Sequence, residues 1–250
     1  MKQSEIVARD LTNRIVSENL PEGTRLPNER EMLETYQVGR STLREALRLL
    51  ESRGVLTIRS GRDGGPVVRG PRASDLGEAL TLLLQFERVP FSEVFAARQA
   101  LEPRLARMAA ENMDDETLAE MAGCNERMAA NLDDRELFRK ENFRFHELVA
   151  AAAQNKVLEL FSAALESVAG GLAFGVVAGQ FTRAHRAVAL DAHRNLLKAF
   201  VSRDPDAAEE AMRLHLEEGR ASWLAAYRDL SRRPVQWASA ATHGAARTEF

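Results

Sequence analysis

The sequence predicts a mainly α protein, an N-terminal winged helix-turn-helix followed by a C-terminal all-α bundle of six or seven helices. Three observations predict it. Residues 26–68 hold a short helical stretch, a tight turn, a longer amphipathic stretch and two β-branched runs around a glycine-rich tip. Beyond residue 75 the chain turns rich in alanine and leucine at helical spacing, with few strand signals. A length of 250 residues is long for one compact core and natural for a small domain plus a larger one. The expected division is a DNA-binding domain over 1–70, a linker over 71–75, a helical domain over 76–230 and a loosely ordered tail over 231–250.

Residues 1–10 read as a helix start of alternating charge rather than a secretion signal. Asn28–Tyr36 reads as a short helix entered through Pro27, and Gln37, Val38 and Gly39 as the turn after it. In the next helix Leu43, Ala46, Leu47 and Leu50 recur at the i, i+3, i+4, i+7 spacing of one apolar stripe. Arg40, Arg44 and Arg48 line the opposite face, where guanidinium groups can reach phosphates or pair with guanine edges. Ser41 is placed to cap the start of this helix and Gly54 to end it in a left-handed conformation. Residues 55–59 and 66–69 form two strands around the tip, and Arg59, Arg62 and Arg69 flank a groove. A charged, solvated helix face is the plainer reading of the arginines alone. The turn, the wing and the glycines together favour nucleic acid.

The helices of the second domain are expected over 75–87, 91–112, 114–131, 134–153, 155–179, 182–202 and 205–229. Acidic residues at several of their starts suit the helix dipole. The longest apolar run, Val168–Gly179, falls short of the roughly 20 residues a bilayer needs, so no membrane span is expected. The single cysteine, Cys124, cannot form an internal disulfide, which together with the missing signal implies a cytoplasmic protein. Net charge is −3, but ten arginines against six acids give residues 25–72 a charge of +4. A basic head on an acidic body draws phosphates locally, with an affinity that falls steeply with salt.

Histidines carry the second chemical signal. Asn142 and His146 stand four apart on one helix, and His193 and His215 lie among apolar neighbours on two later ones. Three inward imidazoles are costly unless paired; a shared divalent ion satisfies them all, while hydrogen bonds to backbone satisfy them singly. Arg98 and Glu102 are also four apart, the spacing of a surface ion pair. His185 and His243 match no pattern and are expected to be solvated.

Residues 21–32, PEGTRLPNEREM, and 38–47, VGRSTLREAL, resemble the DNA-binding domain of the GntR family of bacterial transcription regulators, and the match is dense over residues 6–69. The resemblance implies that Arg30, Arg40 and Arg44 make the main contacts to bases and nearby phosphates, that Ser41 and Thr42 touch the backbone, and that Gly61 sits at the wing tip in the minor groove. Gly39 departs from the pattern, which has Ser or Thr there, and Glu22 stands where a Pro or a small residue is usual. Residues 142–146, NFRFH, 190–200, LDAHRNLLKAF, and 204–216, DPDAAEEAMRLHL, are similar to the signatures of the FCD domain, the effector domain of the FadR-type subfamily. By that resemblance Asn142, His146, His193 and His215 would ligate a divalent metal ion such as zinc, nickel or manganese. Asn142 replaces the more usual Asp, and its neutral amide would hold the cation less tightly. Glu141 is no substitute, being about 100° round the helix. Residues 98–102, RQALE, resemble the Arg-x-x-Leu-Glu signature whose arginine pairs with an effector carboxylate.

The expectation is a homodimeric, ligand-responsive transcription factor, most often a repressor in this family, and not an enzyme. It would bind a palindromic double-stranded DNA operator and answer to a small carboxylic acid held at the metal and at Arg98 and Glu102. Two rivals remain: a metal-dependent hydrolase using the three histidines, which needs a general base that neither Glu141 nor Glu147 supplies, and an architectural DNA binder without a ligand.

Overall fold

The computed structural model describes residues 1–61, 64–169, 182–226 and 234–235, which contain ten helices and one two-stranded sheet. The chain divides into two compact units, Met1–Asp75 and Leu76–Phe250.

In the first unit α1 (Gln3–Ser17), α2 (Glu29–Tyr36) and α3 (Arg40–Ser52) enclose a core of Val7, Leu11, Ile15, Met32, Leu43, Ala46, Leu47 and Leu50. The predicted stripe of α3 is therefore buried. A reciprocal capping box opens α2: the Asn28 side chain accepts the Glu31 N–H at 3.0 Å, and the Glu31 carboxylate accepts the Asn28 N–H at 3.1 Å. Gln37, at φ 49°, turns the chain out of α2. The start of α3 differs from expectation. Gly39 is its N-cap and supplies no side-chain bond, because Arg40 is already helical and carries Ser41 into the first turn, past the capping position. At the other end Gly54 has φ +72°, as predicted, and a Cβ there would lie 2.4 Å from an Asp75 carboxylate oxygen.

The wing pairs β1 (Leu56–Arg59) antiparallel with β2 (Gly65–Val68), Leu56 facing Val68 and Arg59 facing Gly65. Inside the tip, a Cβ on Gly64 would come within 2.4 Å of the Arg59 carbonyl oxygen, so the turn admits no side chain there. Arg62 lies outside the described residues.

Seven helices follow: α4 (Ala73–Phe86), α5 (Phe91–Asn112), α6 (Asp115–Ala130), α7 (Arg135–Ala152), α8 (Lys156–Ala169), α9 (Arg183–Val201) and α10 (Pro205–Ala226). The expected linker is shorter than 71–75. Residues 73–75 are the first turn of α4, drawn into it because the Asp75 carboxylate accepts the Arg72 N–H at 2.7 Å. Asp114 and Asp134 cap α6 and α7 by accepting the N–H groups of Thr117 and Leu137. The continuation of α8 toward residue 179 and of α10 toward 229, and His243, fall outside the described residues. Within the expected loose tail, Val235 is fully buried beside Phe91 and Val94, and its N–H bonds the Val89 carbonyl at 2.9 Å. His185 is half-buried rather than solvated, its Nδ1 accepting the Thr182 N–H at 3.2 Å across the α9 N-terminus.

The main core of this unit is made by Ala106, Ala109 and Ala110 of α5, Met121 and Cys124 of α6, Phe145 and Val149 of α7, Leu196 and Phe200 of α9, and Ala208 and Met212 of α10. Alanine on α5 lets α10 pack close to it. Burial, then the neighbouring Glu141, pushes the Cys124 thiol pKa up to about 11, so it behaves as a small core hydrophobe. Among the described residues no helix is long and apolar enough to cross a membrane.

Candidate functional site

Two sets of side chains carry the chemistry, one in each unit. In the first, the solvent face of α3 presents Arg40, Arg44 and Arg48, all exposed, with Ser41 exposed and Thr42 half-buried in the first turn. Arg44 reaches Glu29 of α2 at 3.4 Å, a loose pair with the guanidinium two-thirds exposed. Arg30, 89 % exposed, pairs with Glu34 one turn along α2. Exposed pairs of this kind are worth little and exchange readily for phosphates. Gly61 stands exposed at the wing tip with φ +108°, beside exposed Arg59. Arg69 leaves the expected set of groove-flanking residues: it pairs with Asp75 at 3.1 Å and is largely shielded. The same Asp75 bonds that start α4 thus hold Arg69 as well.

The second set lies inside the bundle. His146 on α7, His193 on α9 and His215 on α10 are all buried, and their nearest ring nitrogens lie within 4.8 Å of one another. The Nε2 atoms of His146 and His215 are 3.2 Å apart. His193 has no exposed surface and stacks on Phe145 with ring centroids 4.5 Å apart, and neither of its nitrogens has a hydrogen-bond partner among the described residues. Backbone hydrogen bonding, the plainer alternative for a core histidine, therefore does not account for it. Asn142 is half-buried one turn before His146 on α7.

Glu102 on α5 stands behind the cluster. One of its oxygens lies 3.0 Å from His146 Nδ1 and the other accepts the Arg98 Nε–H at 2.5 Å. A proton on Nδ1, the tautomer that this nearby carboxylate favours, leaves the His146 Nε2 lone pair facing His215. Arg98 and Glu102 are thus a buried pair and not the surface pair their spacing suggested. The Arg98 Nη2 group also forms an ion pair with Glu166 of α8. Sequence reasoning missed Glu166, since nothing in its spacing relates it to residues 98 and 102. It also missed Asn125 of α6, whose buried side-chain amide has no partner among the described residues.

Protonation follows from these surroundings. Burial, then repulsion from the neighbouring imidazoles, holds His193 well below the ordinary histidine value. Burial and then His146 push His215 down to about 3. Burial opposes the charge on Glu102, but Arg98 and then His146 outweigh it and keep its pKa below the usual carboxylate range. His193 and His215 are accordingly neutral at pH 7, the form that donates a lone pair to a metal. Glu141, also buried, pairs with Arg127 at 2.8 Å, and Glu147 with Arg144 at 3.4 Å. Among the described residues the carboxylate paired with an imidazole of the cluster is Glu102, engaged at His146 Nδ1 and not at the Nε2 side that faces His215, and so badly placed as a base for hydrolysis.

A winged helix-turn-helix with an arginine-bearing face, in one chain with a helical bundle enclosing a polar cluster, defines a class: DNA-binding regulators that carry a sensor domain. Comparison with known proteins agrees in both parts. Residues 3–63 match the bacterial regulatory proteins of the gntR family, and residues 93–218 match the FCD domain. The chain is 31 % identical to the HTH-type transcriptional repressor NanR of Citrobacter rodentium (strain ICC168) over 226 residues, 90 % of this chain and 86 % of the relative. It is 30 % identical over the same length to NanR of Salmonella newport (strain SL254), again covering 90 % and 86 %. Among solved structures it is similar to Streptococcus agalactiae GntR, with 28 % identity and a TM-score of 0.68 over 88 % of this chain and 99 % of that one. The protein belongs to the GntR family of transcription regulators and carries an FCD domain.

Proposed function

We propose that this regulator is a repressor whose sensor bundle holds a divalent metal ion at His146, His193 and His215, with Asn142 as a fourth ligand, and takes up a small carboxylate beside Arg98. The observation that carries the proposal is His193, buried without exposure and with both ring nitrogens unpartnered among the described residues. A buried polar group without a partner costs about 1–3 kcal/mol, so such a residue marks a missing ligand. The donor set fits one. Ligand nitrogens around a tetrahedral zinc lie about 3.3 Å apart, close to the 3.2 Å between the Nε2 atoms of His146 and His215.

Charge argues the same way. Arg98 faces two buried carboxylates, Glu102 and Glu166, so these three side chains carry one negative charge in excess, with Arg139 of α7 within electrostatic reach of Glu166. A divalent ion supplies two positive charges and an open coordination position, leaving one net positive charge for an anion such as a monocarboxylate. Zinc, nickel and manganese all accept such a donor set.

The reader acts as a homodimer in the cytoplasm, each α3 reading half of a palindromic operator. Apolar side chains support self-association: Leu83 and Phe86 of α4 are 63 % and 80 % exposed, and Val157 and Phe161 of α8 are also exposed. The effector changes operator affinity by no more than its differential affinity for the two arrangements of the dimer.

Elemental analysis of purified protein soaked in zinc, nickel or manganese is expected to show a divalent ion that His193→Ala loses, while the isolated N-terminal unit still shifts operator DNA. Absence of any ion from the wild type after soaking overturns the metal assignment.

A further inference from the structure

The Arg98 guanidinium is already held by two carboxylates: Glu102 takes the Nε side and Glu166 takes Nη2. The two are not equivalent. Glu102 also fixes His146, so releasing it would disturb the histidine cluster. Glu166 fixes no imidazole: among the described residues its one ion pair is with Arg98, and Arg139 of α7 lies within electrostatic reach of it. A carboxylate binds a guanidinium best through two parallel N–H···O bonds, and here, among the described residues, only one of the two Nη groups is paired.

We propose that Glu166 is an internal stand-in for the effector carboxylate: it occupies the place on Arg98 that the effector takes, and the effector binds by displacing it. This rests on the reading of Arg98 as the effector's partner and adds the residue that sets the threshold for binding. An acid able to pair with Arg98 through one oxygen only leaves Glu166 in place, whereas one that pairs through both oxygens expels it. The site therefore selects ligands whose carboxylate is free to lie flat against the guanidinium.

A displaced Glu166 keeps a cation nearby, since it already lies within electrostatic reach of Arg139 of α7. Glu166 lies on α8 next to Ser167, and Ser167 packs against Gly77 of α4 so closely that a Cβ on Gly77 would come within 2.9 Å of it and 3.2 Å of the Ala164 carbonyl oxygen. Release of Glu166 thus frees a helix that bears directly on α4, through Ser167 on Gly77 and through Leu165 and Val168 beside Leu80 and Leu84.

The test uses the zinc-soaked full-length protein, with acetate, lactate, malonate and citrate as probes titrated by calorimetry. Glu166→Gln keeps the shape of the side chain and removes the competing charge. It is expected to bind the tightest of these probes better than the wild type by about tenfold or more, the equivalent of one hydrogen bond to a charged group. Glu159→Gln removes the same charge from an exposed pair with Lys156 on the same helix and is expected to leave probe affinity unchanged. Hydrogen exchange in residues 160–169 is expected to quicken when the probe binds the wild type, and to be quick in Glu166→Gln from the start. Arg98→Lys retains the charge but not the fork, and separates the two claims. If Arg98→Lys weakens binding while Glu166→Gln binds no better than the wild type, the displacement is wrong and the carboxylate site stands. If Arg98→Lys binds like the wild type, or no probe binds any form, the carboxylate site itself falls and the displacement with it.

Discussion

The arginines of α3 and the arginine of α5 are chemically identical and do opposite work. Arg40 and Arg44 are exposed and at most loosely paired, so their charge is available to whatever approaches from solvent. Arg98 is buried between two carboxylates, which raise its pKa against the cost of burial, and its charge is shielded from whatever approaches from solvent. The difference teaches that an arginine's function is set by its desolvation and not by its spacing, since Arg98–Glu102 and Arg30–Glu34 share the same four-residue interval. Surface pairs are nearly neutral to stability, whereas stripping one partner from a buried pair leaves a charge with nowhere to go.

The largest effect that would break this comparison is a double dissociation. Arg98→Ala leaves Glu102 and Glu166 buried without a cation and is expected to cost about 3–5 kcal/mol of stability in urea unfolding. Arg40→Ala and Arg44→Ala are expected to change stability by less than about 0.5 kcal/mol. In operator binding followed by fluorescence anisotropy the order reverses: each α3 substitution costs on the order of 1–3 kcal/mol and, for phosphate contacts, flattens the salt dependence. Arg194→Ala, an exposed arginine paired with Asp191 on α9, serves as the control with no expected effect on either. Equal losses of DNA affinity at Arg40, Arg44 and Arg194 would mean that α3 is not the reading face.

A smaller effect sharpens the contrast through pH. The two histidines with depressed values, His193 and His215, are neutral in the fold and take up protons more readily when unfolded. Their contribution to stability is therefore complete above about pH 6.5, the unfolded value, and is lost as pH falls toward the folded values, about 3 for His215. Each contributes a slope of about 1.4 kcal/mol per pH unit in that window. Glu102, also depressed, adds to the loss in the same direction once pH drops below the ordinary carboxylate range. The isolated N-terminal unit contains no histidine, and its stability is expected to stay level between pH 6.5 and 5 while that of the full-length protein's bundle declines. A flat profile for the bundle would show that these imidazoles are not held neutral by burial.

Much of this was legible in the sequence because it is local. The stripe of α3 and the acidic start of α6 depend on residues within a turn of one another, and the helix boundaries follow to within a residue or two. The three histidines could be placed on inward faces because each sits among apolar neighbours at helical spacing, but their mutual distance depends on how α7, α9 and α10 pack. Resemblance supplied that step and periodicity did not. Glu166 and the burial of Arg98 were invisible for the same reason: the pair joins α5 to α8 across 68 positions of sequence, and no local pattern encodes it. Arg69 was misjudged as a groove residue because its partner, Asp75, was assigned to a linker when it belongs to a helix.

The smallest predicted effect concerns the two glycines that bracket α3, and it tests whether the reading helix was under-stabilised at one end only. Gly54 has φ +72° and a side chain there would strike Asp75, so it must remain glycine. Gly39 is different: φ is −72° and ψ 157°, ordinary for any residue, and a Cβ there meets nothing closer than the Ser41 hydroxyl at 4.0 Å. Gly39→Ser would supply the missing side-chain cap to the N–H groups of the first turn of α3 and reduce the freedom of the unfolded chain. Together these should raise stability by about 0.5–1 kcal/mol in thermal or urea unfolding of the N-terminal unit. Because the new hydroxyl stands beside Arg40 on the exposed face, operator affinity should stay level or rise slightly. A loss of stability would mean that the open backbone at Gly39 is needed by the turn, and that α3 owes its start to the turn and not to a vacant cap.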